Sequence, residues 1–330
     1  MLRLFITVTL LAVLSYTQTT TPVRWYKGNT HTHTLNSDGD SSPEDVVKWY
    51  RDNKYNFLVM TDHEFITPVD PLNSALGKPG EFLLISGQEV TDRTEGKPHH
   101  VNALGITTVT RPKKGATSLE NLQANIDAIR ALGGIPQINH PNFGWALSAD
   151  TIAKTKNVTL FELFNGHPLV NNQGGGDSPS TEAIWDTVLS SGRLIYGMAT
   201  DDVHSVKKLG DRKAPTPGHG WVFVRAAELT PKAILEALDR GDFYASTGVE
   251  LAEYSGDNKS IYVKVKEERW SKYRIQFIGK NGKLLQEISS GTAIYKIKGN
   301  EGYVRAKILE SNGKFAWTQP VMIGSRKESN

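Results

Sequence analysis

Short apolar runs that break off into polar clusters recur along the first two hundred residues. Trp25 to Thr34 predicts a first strand that carries His31 and His33 at its end. Asn56 to Met60 is apolar without alternation, as a strand buried on both faces requires, and leads straight into Thr61, Asp62 and His63. Glu81 to Ser86 repeats the pattern and delivers Gly87, Gln88 and Glu89, while His99 and His100 precede the run VNALGI. Gly134 to Ile138 leads to Asn139, His140 and Pro141, and Val158 to Phe164 ends in Asn165 and Gly166. Arg193 to Ala199 delivers Asp201, Asp202 and His204.

Helices are predicted between these runs. Ser42 reads as an N-cap with Pro43 in the first turn and Glu44 and Asp45 behind it, starting a helix to about Arg51. Thr117 to Leu132 places Leu119, Leu122, Ile126, Ile129 and Leu132 on one face, with Thr117 and Glu120 as a capping box and Gly133 as the stop. Further helices are expected over Thr181 to Ser190 and after Thr230 and Pro231, the latter ending at Gly241. Alternating strands and helices predict an α/β fold with a parallel barrel, in which polar residues past the carboxyl ends of the strands share one rim.

After residue 250 the period changes to two, in IYVKVK, YRIQFIG and YVRAKIL, with Asn281-Gly282 and Asn312-Gly313 as hairpin turns. This predicts a small C-terminal antiparallel β domain over residues 251–330. At the other end, Arg3 precedes an apolar run from Leu4 to Leu14 and the polar stretch SYTQTTT, the layout of a signal peptide over residues 1–20 cleaved between Ser15 and Thr20. The run is shorter than the roughly 20 residues that cross a bilayer. A secreted or periplasmic protein with no stable membrane anchor is expected, its barrel occupying residues 21–250. No internal repeat or low-complexity segment is visible, and the oligomeric state is not legible.

Composition narrows the chemistry. The 330 residues carry a net charge of +3 with the lysines dispersed, which gives no stripe to follow a phosphate backbone, so no nucleic acid partner is expected. There is no cysteine, hence no disulfide, no thiolate ligand and no thiol to lipidate. Nitrogen and oxygen donors remain for a metal. His31 and His33 lie two apart in an extended segment and reach the same side, and Asp38 can fold back from the next turn.

Collected, the residues at strand ends are His31, His33, Asp38, His63, Glu89, His100, His140, Asp202 and His204. HTHT with a following SDG, TDH, a glutamate after an apolar strand, HHVNALG, NHP and DDVH occur in that order over residues 25–205, and in this the chain resembles the PHP (polymerase and histidinol phosphatase) superfamily of metal-dependent hydrolases. HHVNALG and FYASTG are similar to its carbaryl-hydrolase-like subgroup. The resemblance implies a distorted (β/α)7 barrel with two or three divalent metal ions, Mn, Zn or Fe, at the rim. It implies that His31, His33, Glu89 and Asp202 hold one ion, that Glu89 bridges to a second held by His100 and His140, and that Asp38, His63 and His204 form a third site. Two alternatives stay open: His99 in place of His100, and Asp201 in place of Asp202. His100 abuts the strand VNALG and the DVH spacing puts Asp202 and His204 on one face, which favours the assignments given.

Carboxylates bridge clustered cations while neutral imidazoles hold position, and water between the cations becomes a hydroxide nucleophile near neutral pH. The expected function is a secreted metal-dependent phosphoesterase acting on a small anionic ester, with Glu89 and His204 as catalytic candidates and the general acid unassigned. A carbamate, ester or amide hydrolase using the same site is the alternative. A third reading is a non-catalytic, metal-stabilised extracellular binding protein that recognises its partner through the β domain. Among the other residues, Asp62 and Asn139 are candidates to support the ligands, and Arg93 and Lys97 to meet a substrate anion. His167 and His219 read as surface or rim residues, Gly174 to Gly176 as a flexible loop and candidate lid, and Trp145, Trp185 and Trp221 as core or wall.

Overall fold

The computed structural model describes residues 23–324. The predicted signal peptide lies outside the described residues.

Strand β1 (Arg24–Asn29) is followed by helix α1 (Pro43–Asp52), which starts where Ser42 Oγ accepts the Asp45 N–H and buries Val46, Val47 and Tyr50. The chain returns as β2 (Phe57–Met60), parallel to β1 and buried along its whole length. Helix α2 (Val69–Leu76) leads to the long strand β3 (Leu83–Thr94), parallel to β2. Here the expected alternation fails. Glu95 and Gly96, at φ 55° and 76°, form a two-residue turn, and β4 (Lys97–Leu104) runs back antiparallel to β3. A turn that short cannot hold the crossover that a parallel return needs.

Helix α3 (Ser118–Ala131) has the predicted Thr117–Glu120 capping box, and the chain turns after it at Gly133, φ 77°. Strand β5 (Ile135–Ile138) is antiparallel to β4, and helix α4 (Ala149–Lys154) leads to β6 (Leu160–Asn165), parallel to β5. Helix α5 (Thr181–Ser190) precedes β7 (Tyr196–Thr200), parallel to β6. Strand β8 (Trp221–Ala226) lies antiparallel on the other side of β1, and α6 (Pro231–Arg240), capped by Thr230 and ended by Gly241 at φ 79°, leads to β9 (Phe243–Ser246).

Beyond residue 250 the alternating segments form antiparallel pairs. β10 (Leu251–Gly256), β11 (Ser260–Val265) and β14 (Thr292–Lys296) make a three-stranded sheet. β12 (Tyr273–Gly279), β13 (Lys283–Ile288), β15 (Tyr303–Glu310) and β16 (Phe315–Thr318) extend the large sheet by pairing β16 with β9, and β17 (Val321–Met322) pairs with β15. Among the described residues the large sheet runs β13-β12-β15-β16-β9-β8-β1-β2-β3-β4-β5-β6-β7.

The chain is therefore a mixed α/β fold with parallel strands and helices between them. Inward side chains from successive strands, among them Tyr26, Phe57, Val59, Ile85, Leu104, Ile135, Leu160, Met198 and Val222, form one cluster joined by Ile234 and Leu238 of α6. The regular ladder of β1 stops at Asn29 instead of running to Thr34. Asn29 Oδ1 takes the His31 N–H, and the next backbone groups bond to loops: Thr32 N–H to Thr61 Oγ1 and His33 N–H to the Val203 carbonyl. A single parallel bridge between Thr32 and Val203 links the extended continuations of β1 and β7.

Candidate metal centre

Strands β3 and β4 and the segments that follow β1, β2, β5 and β7 bring nine side chains drawn from residues 31–204 to one place. His31 and His33, on the extended continuation of β1, are fully buried. Each points Nε2 at the same two oxygens, Glu89 Oε2 at 3.1 Å and Asp202 Oδ1 at 3.3 Å. Glu89, midway along β3, also lies 3.3 Å from His63 Nδ1 through Oε2, and through Oε1 3.0 Å from His100 Nδ1 and 3.3 Å from His140 Nε2. Asp38 is the exposed member, 3.3 Å from His204 Nε2, 3.5 Å from His63 Nε2 and 3.6 Å from His33 Nδ1. Four overlapping donor groups result: His33, Asp38, His63 and His204; His31, His33 and Asp202; His31, Glu89 and His140; His63, Glu89 and His100.

This arrangement suits divalent cations. A carboxylate offers about four lone-pair sites, whereas five imidazoles gather within 3.3 Å of Glu89. Among the described residues, His31 Nε2 and His33 Nε2 are buried without an aligned hydrogen bond, and such orphaned donors or acceptors are costly. Histidine nitrogens and carboxylate oxygens with no sulfur form a donor set for Zn, Mn or Fe.

Charges in the site adjust to one another. Burial works against ionisation of Glu89, but His31, His63 and His100 outweigh it and hold the carboxyl well below its ordinary range. Asp202 is held down in the same way against burial by His31, His33 and His204. Burial also opposes the charged form of His31, and Asp202, Glu89 and Glu162 reverse that, raising its pKa. The backbone is strained where the site needs it: His140 and Asp202 sit at φ 23° and 52°, a region few residues other than glycine adopt.

The two open alternatives separate cleanly. His100 turns towards Glu89, while His99 is buried on the opposite face of β4, directly across from Asp92. Asp202 faces His31 and His33, while Asp201 accepts the Tyr50 hydroxyl at 2.7 Å and the N–H groups of His219 and Gly220 at 2.7 and 2.9 Å. Burial pushes the Asp201 carboxyl up, against those hydrogen bonds.

Surrounding residues hold the donors in place. Asp62 accepts the Thr34 N–H at 2.7 Å and the Thr34 and Ser37 hydroxyls, fixing the loop that carries Asp38, and Asn139 Nδ2 donates to Glu89 Oε1 at 2.8 Å. Sequence reasoning missed Glu162. Fully buried on β6, it lies 2.6 Å from His31 Nδ1 and accepts the Thr200 hydroxyl, the His140 N–H and Asn165 Nδ2 at 2.7, 2.7 and 2.8 Å. A charged residue inside the apolar run LFELFN was the available signal.

Of the remaining sequence expectations, the one about substrate-facing cations changes. Arg93 and Lys97 do not reach the centre: they are exposed beside the β3–β4 turn, where Arg93 donates to the Gly96 carbonyl at 2.8 Å. The strand lengthens the hairpin beyond the rim and carries both away. Gly174 to Gly176 form a small loop bridged between Gly175 and Ser178, beside the ring of Trp145. Trp185 is core, donating to the Ile195 carbonyl at 2.9 Å. His219 pairs with the Thr216 hydroxyl at 2.9 Å. His167 lines the cavity above the centre, about 240 Å³ in volume, together with Phe143 and Leu169. A larger depression of about 820 Å³ on the C-terminal sheet, lined by Lys272, Arg274 and Ser290, contains none of the nine donors.

No family model matches the chain, and no curated protein matches it. Among solved structures it is similar to a two-domain protein from Bacteroides vulgatus containing a predicted PHP-like metal-dependent phosphoesterase, with 15% identity and a TM-score of 0.52 over 91% of this chain and 96% of that chain. Weaker matches are a candidate metal-dependent phosphoesterase from Bifidobacterium adolescentis, with 14% identity, TM-score 0.41, 56% of this chain and 91% of that one, and an amidohydrolase from Chromobacterium violaceum, with 14% identity, TM-score 0.38, 55% and 88%. At these identities what is shared with the Bacteroides protein is the fold, along nearly the whole of both chains.

Proposed function

We propose that the chain is a metal-dependent hydrolase, and specifically a phosphoesterase, of PHP type. The observation that carries this reading is Glu89 with five imidazoles around its two oxygens and Asp202 opposite. The seven strands β1 to β7, with their shared interior cluster and the Thr32–Val203 bridge, support the reading of a distorted (β/α)7 barrel. The three-stranded sheet that begins at Leu251 supports a division into residues 21–250 and 251–330.

In this reading the nine donors would hold two or three divalent ions, and Glu89, which belongs to two of the donor groups, would serve more than one of them. When bound, such ions supply Lewis-acid charge and acidify water at neutral pH. The residues of the chain prepare for them. His31 Nδ1–H donates to Glu162 and His204 Nδ1–H to the Asp202 carbonyl at 3.0 Å, which leaves the Nε2 lone pair of each facing the centre. Burial of His31, His33, Glu89 and Asp202 keeps bulk water from competing for the donors. Glu89 and His204 are the catalytic candidates, Glu89 because it joins the donor groups and His204 because it lies at the cavity wall.

A carbamate or carboxylic ester hydrolase is the second reading. Among the described residues no arginine or lysine lines the cavity, so none of them demands a doubly charged substrate. Hydrolysis of phenyl phosphate by the purified protein, abolished by chelator and restored by Mn²⁺ or Zn²⁺, is the expected result. Activity persisting in the double variant His31→Ala, His33→Ala, or turnover of carbamates alone in a parallel panel, would refute the phosphoesterase reading. Export follows the N-terminal signal and belongs to the proposal as well.

A further inference from the structure

Among the described residues, three that line the cavity belong to none of the donor groups: Phe143, His167 and Leu169. His167 is the polar one, and its placement is built rather than incidental. The chain leaves β6 through Asn165 and Gly166. A Cβ at residue 166 would lie 2.8 Å from His219 Cβ and 3.0 Å from the Asp201 carbonyl oxygen, so glycine alone fits there. Asn165 Oδ1 accepts the His167 N–H at 2.8 Å, while its Nδ2 donates to Glu162 at 2.8 Å and Asp202 at 3.1 Å. The backbone of His167 is thus held to the same carboxylates that anchor the centre.

Its ring is oriented too. The Leu169 N–H donates to His167 Nδ1 at 3.2 Å, and the ring stands nearly edge-on to His204 and Phe143, at centroid distances of 5.4 and 6.3 Å. An accepting Nδ1 puts the imidazole proton on Nε2. What His167 can offer to the contents of the cavity is therefore an Nε2–H donor.

We propose that His167 donates this hydrogen bond to an oxygen of the bound ester, beside an apolar wall of Phe143 and Leu169, so that the substrates are esters whose leaving group has an apolar face. The proposal rests on the hydrolase reading and adds the side of the cavity that faces the substrate. A volume of about 240 Å³ is below the ~300–1,000 Å³ of pockets that enclose a whole drug-sized ligand. The reacting group and the start of the leaving group fit, and the remainder crosses Leu169, which is 64% exposed at the mouth.

The test compares wild type, His167→Ala, His167→Gln and Leu169→Ser in the metal-loaded protein. Phenyl phosphate and methyl phosphate serve as substrates, and calorimetric binding of inorganic phosphate and bound-metal content as independent readouts. The wild type is expected to favour phenyl over methyl phosphate in kcat/KM, and Leu169→Ser to shrink that preference. His167→Ala should raise KM and weaken phosphate binding about tenfold, the scale of one lost hydrogen bond to a charged group, with kcat changed less and metal content unchanged. The Gln variant should recover most of the loss through its amide N–H. Unchanged KM and phosphate affinity in His167→Ala, or loss of metal from it, would overturn the assignment. So would equal use of the two esters by the wild type. A wild type that neither turns over phenyl phosphate nor binds phosphate would instead remove the phosphoesterase reading, and this assignment with it.

Discussion

Glu162 does not line the cavity, yet it touches His31, the backbone of His140 and, through Asn165, Asp202. Removing it frees three donors at once without deleting any. Glu162→Ala should therefore lower divalent-metal affinity about 10- to 100-fold, the usual cost of losing a group that orients a ligand, as read by competition with a chromophoric chelator. An unchanged affinity would mean that the backbone alone positions His31. Protons give a second handle at this scale. Burial opposes the charged forms of His31, His33, His140 and His204, but neighbouring carboxylates raise all four pKa values in the metal-free protein. A raised pKa means a more tightly held proton, and a metal needs the bare nitrogen. Metal loading near pH 6.5 should release protons, and affinity should fall as pH falls through that range. Calorimetric titration in buffers of different ionisation enthalpy measures the number released, and zero would contradict the pairing described.

Among the secondary-structure elements, what was legible in the sequence was local. The N-caps of α1, α3 and α6 depend on residues within four positions of one another, and Ser42 with Pro43, Thr117 with Glu120, and Thr230 with Pro231 all sit where the pattern puts them, as does the Gly241 stop. Most of the nine candidate donors were legible because they follow an apolar run, with Asp38 in the turn after the first and His100 just ahead of VNALGI. Glu162 was not, since the two histidines it holds, His31 and His140, lie 131 and 22 positions away, and the antiparallel course of β4 was hidden in a two-residue turn. Arg305 is the same lesson outside the site. In YVRAKIL it reads as one of the polar alternates, but it is fully buried, donating to both oxygens of Asp186 at 2.8 Å and to Glu182 at 2.9 Å, and so fastens β15 to α5. Arg305→Met should cost roughly 3–5 kcal/mol in chemical denaturation by stranding Asp186, and adding Asp186→Leu should recover much of it. Glu182 adds a pH dependence. Burial tends to raise its pKa, but Arg305 and Lys307 outweigh that and lower it from the ordinary 4.5. Its contribution is therefore complete above about pH 4.5 and lost as pH falls through the depressed folded value. The stability difference between wild type and Glu182→Gln should stay constant near neutrality and shrink in acid. A difference that grows in acid would refute the sign.

At the scale of the whole molecule, the two halves of the sequence share structure across residue 250. β16 pairs with β9, Tyr303 and Trp317 pack in the cluster that holds Leu163, Ile184 and Trp185, and the Gln319 amide bonds both the N–H and the carbonyl of Gly197 in β7 at 3.0 Å. A perturbation on the C-terminal strands should consequently be felt at the candidate metal centre as stability, although none of the nine donors comes from them. Thermal unfolding of the full chain, followed by tryptophan fluorescence and by far-ultraviolet circular dichroism, is expected to show one coincident transition. Each divalent ion at a hundred times its Kd should stabilise the folded state by about 2.7 kcal/mol, so one or two ions offset most of the roughly 3–5 kcal/mol that Arg305→Met removes. Metal-saturated Arg305→Met should thus unfold near the midpoint of metal-free wild type. If the variant instead splits into two transitions, only one of which moves with metal, then the β strands after residue 250 unfold on their own and the shared core does not couple them to the centre.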